Sequence, residues 1–253
     1  MQTTYSRLSK NSFPHSTRAA SLGALAWLLL TLLPAQVADA QGTVVFGNSI
    51  PGGPGVGQTT HVWAPPITSP AMSLIGLGTN DTPSGTTPFA ASGMTLIGAN
   101  GTGGQYGGAT TFAQLLAAVG AAPESSLVPM GQTATFRTGS AAGIIAWPPD
   151  NGPYDILPGI PADAPLATFE VVAWDNSSGL YPNWTKASVG WMSALIACGK
   201  SGAFTVSNIG GSINSPPYLF GQTSFNLYLI PEPSTFALAG LGIGALMAWR
   251  RRK

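Results

Sequence analysis

In the stretch Ala167-Thr-Phe-Glu-Val-Val-Ala-Trp174, Phe169, Val171 and Ala173 alternate with Thr168, Glu170 and Val172. A period of two puts successive side chains on opposite faces of an extended chain, so the stretch reads as a half-buried β-strand. Ser224-Phe-Asn-Leu-Tyr-Leu229 alternates in the same way. Short apolar or β-branched runs bounded by turn formers recur before them: Thr43–Phe46, Met72–Ile75, Met94–Ile97, Thr133–Arg137 and Gly143–Trp147, with Ala203–Val206 lying between the two. Some eight strands of this kind over residues 41–230 predict a mainly β domain, an antiparallel β-sandwich.

Composition agrees. Gly (33) and Pro (22) are abundant and charged residues make up only 8%, which favours short strands and turns over long amphipathic helices. Hydrophobic residues at 44% and seven Trp argue against disorder. The 190 residues from Gln41 to Ile230 are enough for one substantial core.

Two segments resist a strand reading. Phe112-Ala-Gln-Leu-Leu-Ala-Ala-Val119 is Ala-rich, with Thr111 placed as an N-cap, so propensity gives helix. Lys186–Cys198 puts Val189, Met192, Leu195 and Ile196 on one helical face and stops at Gly199, which gives the domain one short helix.

The net charge of +1 conceals a segregation. Residues 41–230 keep three cations, Arg137, Lys186 and Lys200, against seven carboxylates, for a net charge of −4. Phosphate contacts need clustered Lys and Arg, so nucleic acid is excluded as a partner. The remaining cations lie at the two ends.

At the N-terminal end, Arg7, Lys10 and Arg18 precede the apolar run Ala24–Leu33, Pro34 and the small-residue site Ala38-Asp39-Ala40. This is the layout of a secretory signal helix over residues 1–40, cut by signal peptidase before Gln41. The apolar run of ten residues is too short to span a bilayer, for which about 20 are needed.

At the C-terminal end, Ile230-Pro-Glu-Pro-Ser-Thr235 leads into the apolar Phe236–Trp249 and then Arg250, Arg251, Arg252 and Lys253. Pro231 and Pro233 hold the junction extended. The run from Ser234 to Trp249 is at the lower limit for a membrane helix. The four cations form a membrane stop kept on the cytoplasmic side, which leaves the domain outside. In motif, order and position, residues 231–253 resemble the PEP-CTERM sorting segment. The resemblance implies recognition of Pro231, Glu232 and Pro233 by an exosortase, a membrane-embedded cysteine peptidase. It also implies export in a Gram-negative bacterium that makes exopolysaccharide.

A second resemblance runs along the domain. Gln41-Gly-Thr-Val-Val-Phe46, Ala113-Gln-Leu-Leu116, Leu127-Val-Pro129, Thr135-Phe-Arg-Thr-Gly139, Val171-Val-Ala-Trp-Asp175 and Gly199-Lys-Ser-Gly202 occur in the order seen in Verrucomicrobia-type PEP-CTERM proteins. It implies that Ala113–Leu116 is strand, against the propensity reading, and it brings no activity.

The search for chemistry yields no catalytic residue, no cofactor and no metal ligand set, so the domain reads as non-catalytic. Gly199-Lys-Ser201 lacks the glycine a phosphate loop requires, since position 195 is Leu. Asp150, Asp155 and Asp163 with Asn151 are either a solvated acidic loop or a Ca²⁺ site, although their spacing fits no EF-hand. Glu170 and Asp175 lie on opposite faces of one strand and make poor partners for glycoside chemistry. Cys198, the sole cysteine, has no nearby His in sequence and reads as a structural thiol. Trp63, Trp147, Trp174, Trp184 and Trp191, with Tyr154, Tyr181 and Tyr218, could stack on sugar rings, Trp184 being the one expected at the surface. The sequence therefore leads to an exported envelope or matrix protein. The alternative is a carbohydrate-binding or carbohydrate-active domain delivered by the same route.

Overall fold

Strand β9 (Leu166–Asp175) is the centre of the molecule, a computed structural model that describes residues 40–52, 57–150 and 152–231. Every residue of β9 after Leu166 is buried, so the strand is covered on both faces rather than one. Its neighbour β6 (Thr111–Val119) runs antiparallel along it from Thr111 opposite Asp175 to Val119 opposite Ala167. The Ala-rich segment is therefore strand. Nine consecutive partners in register outweigh a helix preference of a few tenths of a kcal/mol per residue, roughly. Small side chains at Ala113 and Ala117 suit the close-packed interior.

β7 (Val128–Ala134) pairs with the far side of β6. The other side of β9 is shared by β10 (Cys198–Lys200) and β11 (Phe204–Ser207), and all of these pairs are antiparallel. Alternation now sorts the side chains. Ala113, Leu115 and Ala117 with Phe169, Val171 and Ala173 enter the main core.

The opposite wall of that core comes from smaller sheets. β1 (Gln41–Val45) pairs antiparallel with β8 (Tyr154–Pro161) and contributes Val44, with Leu157 and Ile160 from β8. β4 (Val62–Trp63), β12 (Ser224–Asn226) and β5 (Ile75–Leu77) form a three-stranded sheet with β12 in the middle, contributing Val62 and Phe225. The β4–β12 pair is parallel. β2 (Ser49–Ile50) and β3 (Gln58–Thr59) make a small hairpin-like pair. Two layers of mainly antiparallel strands thus enclose one core, as the period-two pattern predicts. Each fully buried Phe, Leu or Val there is worth about 1.5–3 kcal/mol.

The outer face of the large sheet carries a second cluster. Leu116, Val172, Trp174 and Cys198 pack against helix α2 (Trp184–Met192), which follows the four-residue α1 (Pro88–Ala91). Asn183 caps α2, its Oδ1 accepting from Lys186 N at 3.1 Å. The helix stops at Met192, not at Gly199. Ala194 takes a left-handed conformation (φ 56°), Ala194 N donates to Trp191 O and Leu195 N to Gly190 O. That closure normally uses glycine, which is why Gly199 looked like the stop. The buried side is Trp184, Ala187, Gly190 and Trp191, while Val189, Met192 and Leu195 face water. Two large aromatic anchors, Trp184 and Trp191, set the helix rotation, and they outweigh the aliphatic stripe.

Candidate functional site

β12 is the last strand among the described residues, and Leu227 to Ile230 carry the chain along the edge of the aromatic cluster. Tyr228 exchanges backbone hydrogen bonds with Cys198, donating at 2.8 Å and accepting at 3.2 Å. Trp191 Nε1 donates to Tyr228 O at 2.9 Å, and the two rings meet edge to face at 5.0 Å. Leu229 N donates to Pro70 O at 2.8 Å, and Ile230 packs on the cluster. Pro231 then stands exposed, with no amide hydrogen to bond to the fold. Pro231, the first residue of the sorting motif's Pro-Glu-Pro, is therefore at the surface.

Of the other sorting residues, Glu232, Pro233 and the stop Arg250, Arg251, Arg252 and Lys253 lie outside the described residues, as does the expected membrane helix. No helix among the described residues is long and apolar enough to cross a membrane. Ala38 and the expected signal helix also lie outside them. Ala40 is exposed and its carbonyl accepts from Ala162 N at 2.7 Å, immediately before β1 begins at Gln41.

Within the domain, the structure divides the aromatic residues sharply. Trp174, Trp184 and Trp191 form a tilted stack, with centroids 6.0 and 6.1 Å apart, under α2. Trp63 lies parallel to Phe89 at 5.5 Å. Trp184 is thus interior, correcting the expectation that it lies at the surface. The exposed one is Trp147, 57% accessible. Pro148 and Pro149 follow it, and the residue before a proline is biased towards extended backbone. Trp147, Tyr154 and Tyr218 line one groove of about 230 Å³ with Pro51 and Pro153. Arg137 sits over the Trp147 ring at 5.5 Å and steadies it by cation–π attraction.

The remaining polar candidates separate. Asp155 is buried, where burial pushes its carboxyl up to about 6 against hydrogen bonding from the backbone of Gln132 and Ile156. It is not part of a solvated loop. Asp163 instead accepts from the backbone N–H groups of Asn214, Ile213 and Ser212, which hold its carboxyl below the usual range. Among the described residues, no three His, Cys, Asp or Glu side chains gather as a metal site. Asn151 lies outside those residues.

Glu170 and Asp175 are held apart. Glu170 is fully buried on the α2 side of β9, with Lys200 Nζ at 3.4 Å and the Lys200–Glu124 pair at 2.8 Å beyond it. Burial pushes its carboxyl up to about 7, with Lys200 opposing. Asp175 closes a turn by accepting from Ser177 N. Cys198 is fully buried, its thiol pushed up by burial and aimed at Ala187 O. Gly199 and Lys200 lie on β10 and Ser201 just after it, and among the described residues no helix follows, as a phosphate loop would need.

Sequence reading missed one grouping. His61, Asp81 and Ser224 meet although they lie 20 and 143 residues apart along the chain. Their arrangement is structural. Ser224 Oγ donates to Asp81 Oδ2 at 3.2 Å and accepts from His61 N at 3.0 Å. Trp63 Nε1 also donates to Asp81. The imidazole Nδ1 is 3.6 Å from Asp81, and burial lowers its proton affinity despite that neighbour. A nucleophile needs the base on its own hydroxyl, and here the hydroxyl serves the carboxylate.

No curated protein and no solved structure matches the chain. Residues 229–253 match the family model of the PEP-CTERM protein-sorting motif. That match begins at Leu229, whose amide donates to Pro70 O. In residues 229–253 the chain carries a PEP-CTERM sorting motif, the mark of an exported protein that an exosortase sorts to the cell envelope or extracellular surface.

Proposed function

We propose that the protein is a non-catalytic component of the envelope or exopolysaccharide matrix of a Gram-negative bacterium, of the Verrucomicrobia type. Signal peptidase releases Gln41 as the mature N-terminus, the apolar segment before Arg250 holds the chain transiently in the membrane, and the exosortase then cuts the tail. The observation that carries this reading is the sorting motif at residues 229–253, with Pro231 exposed. The buried His61–Asp81–Ser224 group supports the non-catalytic part, because the Ser224 hydroxyl is bonded to Asp81 and to the His61 amide rather than to the imidazole.

The test separates recognition from anchoring. Glu232→Ala with Pro233→Ala is expected to block tail removal while leaving the protein in the membrane fraction. Deleting Arg250–Lys253 is expected to release unprocessed protein instead. If both variants are processed like wild type, the assigned residues are wrong.

A second reading has its own observation, the groove of Trp147, Tyr154 and Tyr218. Flat exposed aromatics stack on sugar rings, so the domain would bind the producer's exopolysaccharide. Trp147→Ala is then expected to weaken equilibrium binding to that polymer at least tenfold. Equal binding by both proteins would leave the groove without this role.

A further inference from the structure

Helix α2 turns outward an apolar stripe that its sequence period would bury. Val189 is 65% exposed and Met192 76%, with Leu195 at 69% in the turn that closes the helix and Leu180 at 68% in the loop before it. Leu180, Val189 and Leu195 line one open groove of about 460 Å³ with Tyr181. Large apolar side chains gathered in one exposed patch, rather than scattered singly, mark a contact.

The position of the chain exit identifies that contact. Trp191, on the inner side of the same helix, holds Tyr228, and Ile230 packs into the same cluster. On the other flank of the exit, Pro70 accepts from Leu229 N, and Ile67 in the preceding turn is 97% exposed. The chain thus leaves the domain between two apolar surfaces. From Pro231 to Phe236, where the apolar segment begins, is five residues, a span of at most about 18 Å. A bilayer holding that segment lies within reach of α2. The only ionisable side chains lining the groove are Lys186 and Tyr181, so nothing there repels anionic headgroups, whereas the domain as a whole is acidic.

We propose that the outer face of α2, with Leu180, Val189, Met192 and Leu195, rests on the lipid surface of the membrane that holds the C-terminal segment until the tail is cut. The contact is shallow, of the kind made by interfacial amphipathic helices. It orients the domain so that Pro231 faces the bilayer, where a membrane-embedded peptidase works. The proposal rests on the sorting reading, and its test keeps the two apart.

Full-length protein with its tail intact is reconstituted in vesicles of phosphatidylethanolamine and phosphatidylglycerol. Met192→Cys carries an environment-sensitive fluorophore, and the buried Cys198 stays unlabelled. Ile213→Cys serves as the reference: Ile213 is 88% exposed and bonded to Asp163, near the opposite end of β9, roughly 25 Å from the α2 contact. Vesicle flotation and quenching by lipid-borne quenchers are read together. The expected result is flotation of both proteins, with the label at 192 quenched at least threefold more than that at 213. Adding Val189→Glu and Leu195→Glu should bring the label at 192 down to the reference without loss of flotation.

Flotation with equal, weak quenching at both positions would overturn the docking face and leave the sorting reading standing. Absence of flotation would overturn the anchoring itself, and the docking face with it. A label shielded without lipid, together with a doubled mass, would assign the face to a second copy and overturn the membrane contact.

Discussion

Glu170 and Ala194 show how single residues carry cost in this fold. Glu170 is ionisable and fully buried, and neither of its oxygens has a hydrogen-bond partner among the described residues. Its folded pKa of about 7 lies above its ordinary 4.5, and Asp155 at about 6 lies above 3.8. A raised carboxyl means that the folded state holds the proton more tightly. The stability it contributes is complete below the ordinary value and is lost as pH rises through the folded value. The domain should therefore lose stability between about pH 4 and about pH 7. Glu170→Gln should flatten that slope and raise stability at pH 8 by on the order of 1 kcal/mol. Urea unfolding at pH 5 and pH 8 measures both, and an unchanged slope in the variant would place the titration elsewhere. Ala194 sits in left-handed backbone, which costs a non-glycine residue about 1 kcal/mol. Ala194→Gly should accordingly raise the unfolding free energy by about that amount, and a loss of stability would mean that the turn is not strained.

At the scale of elements, α2 and β6 mark where local sequence is a poor guide. The strand β9 is legible because β-branched and aromatic residues alternate along it. Its burial on both faces is not legible, because the cover over the second face comes from Trp184 and Trp191, more than eight residues farther along the chain. β6 looks helical to propensity, and only its pairing with β9 and β7 makes it strand. For α2 the period was correctly helical but the face was inverted, since an aliphatic stripe and an aromatic stripe share one short helix. The role of Asn183 as its cap leads to a direct expectation. Asn183→Ala removes the acceptor for Lys186 N and should cost about 1 kcal/mol of stability, read by thermal unfolding. A variant as stable as wild type would show that α2 is held by its tryptophans alone.

At the scale of the whole molecule, the sequence pattern foretold delivery far better than surface chemistry. A sorting signal is linear: Pro-Glu-Pro, an apolar run and terminal cations are contiguous, so one reading of the chain finds them. A groove is not linear. Trp147, Tyr154 and Tyr218 converge from two loops and a strand, and nothing in their spacing brings them together. The fold contributes the missing link for sorting, because β10 and Trp191 hold Tyr228 while Pro231 stands clear of every strand. On the proposed function, the exosortase removes the tail beyond this junction. Mass spectrometry of the wild-type protein, made in hosts with and without the exosortase, tests this most directly. The expected result is loss of the residues beyond the Pro231–Pro233 junction only where the exosortase is present, with the same thermal unfolding before and after. Retention of an intact tail through Lys253 in both hosts would contradict it.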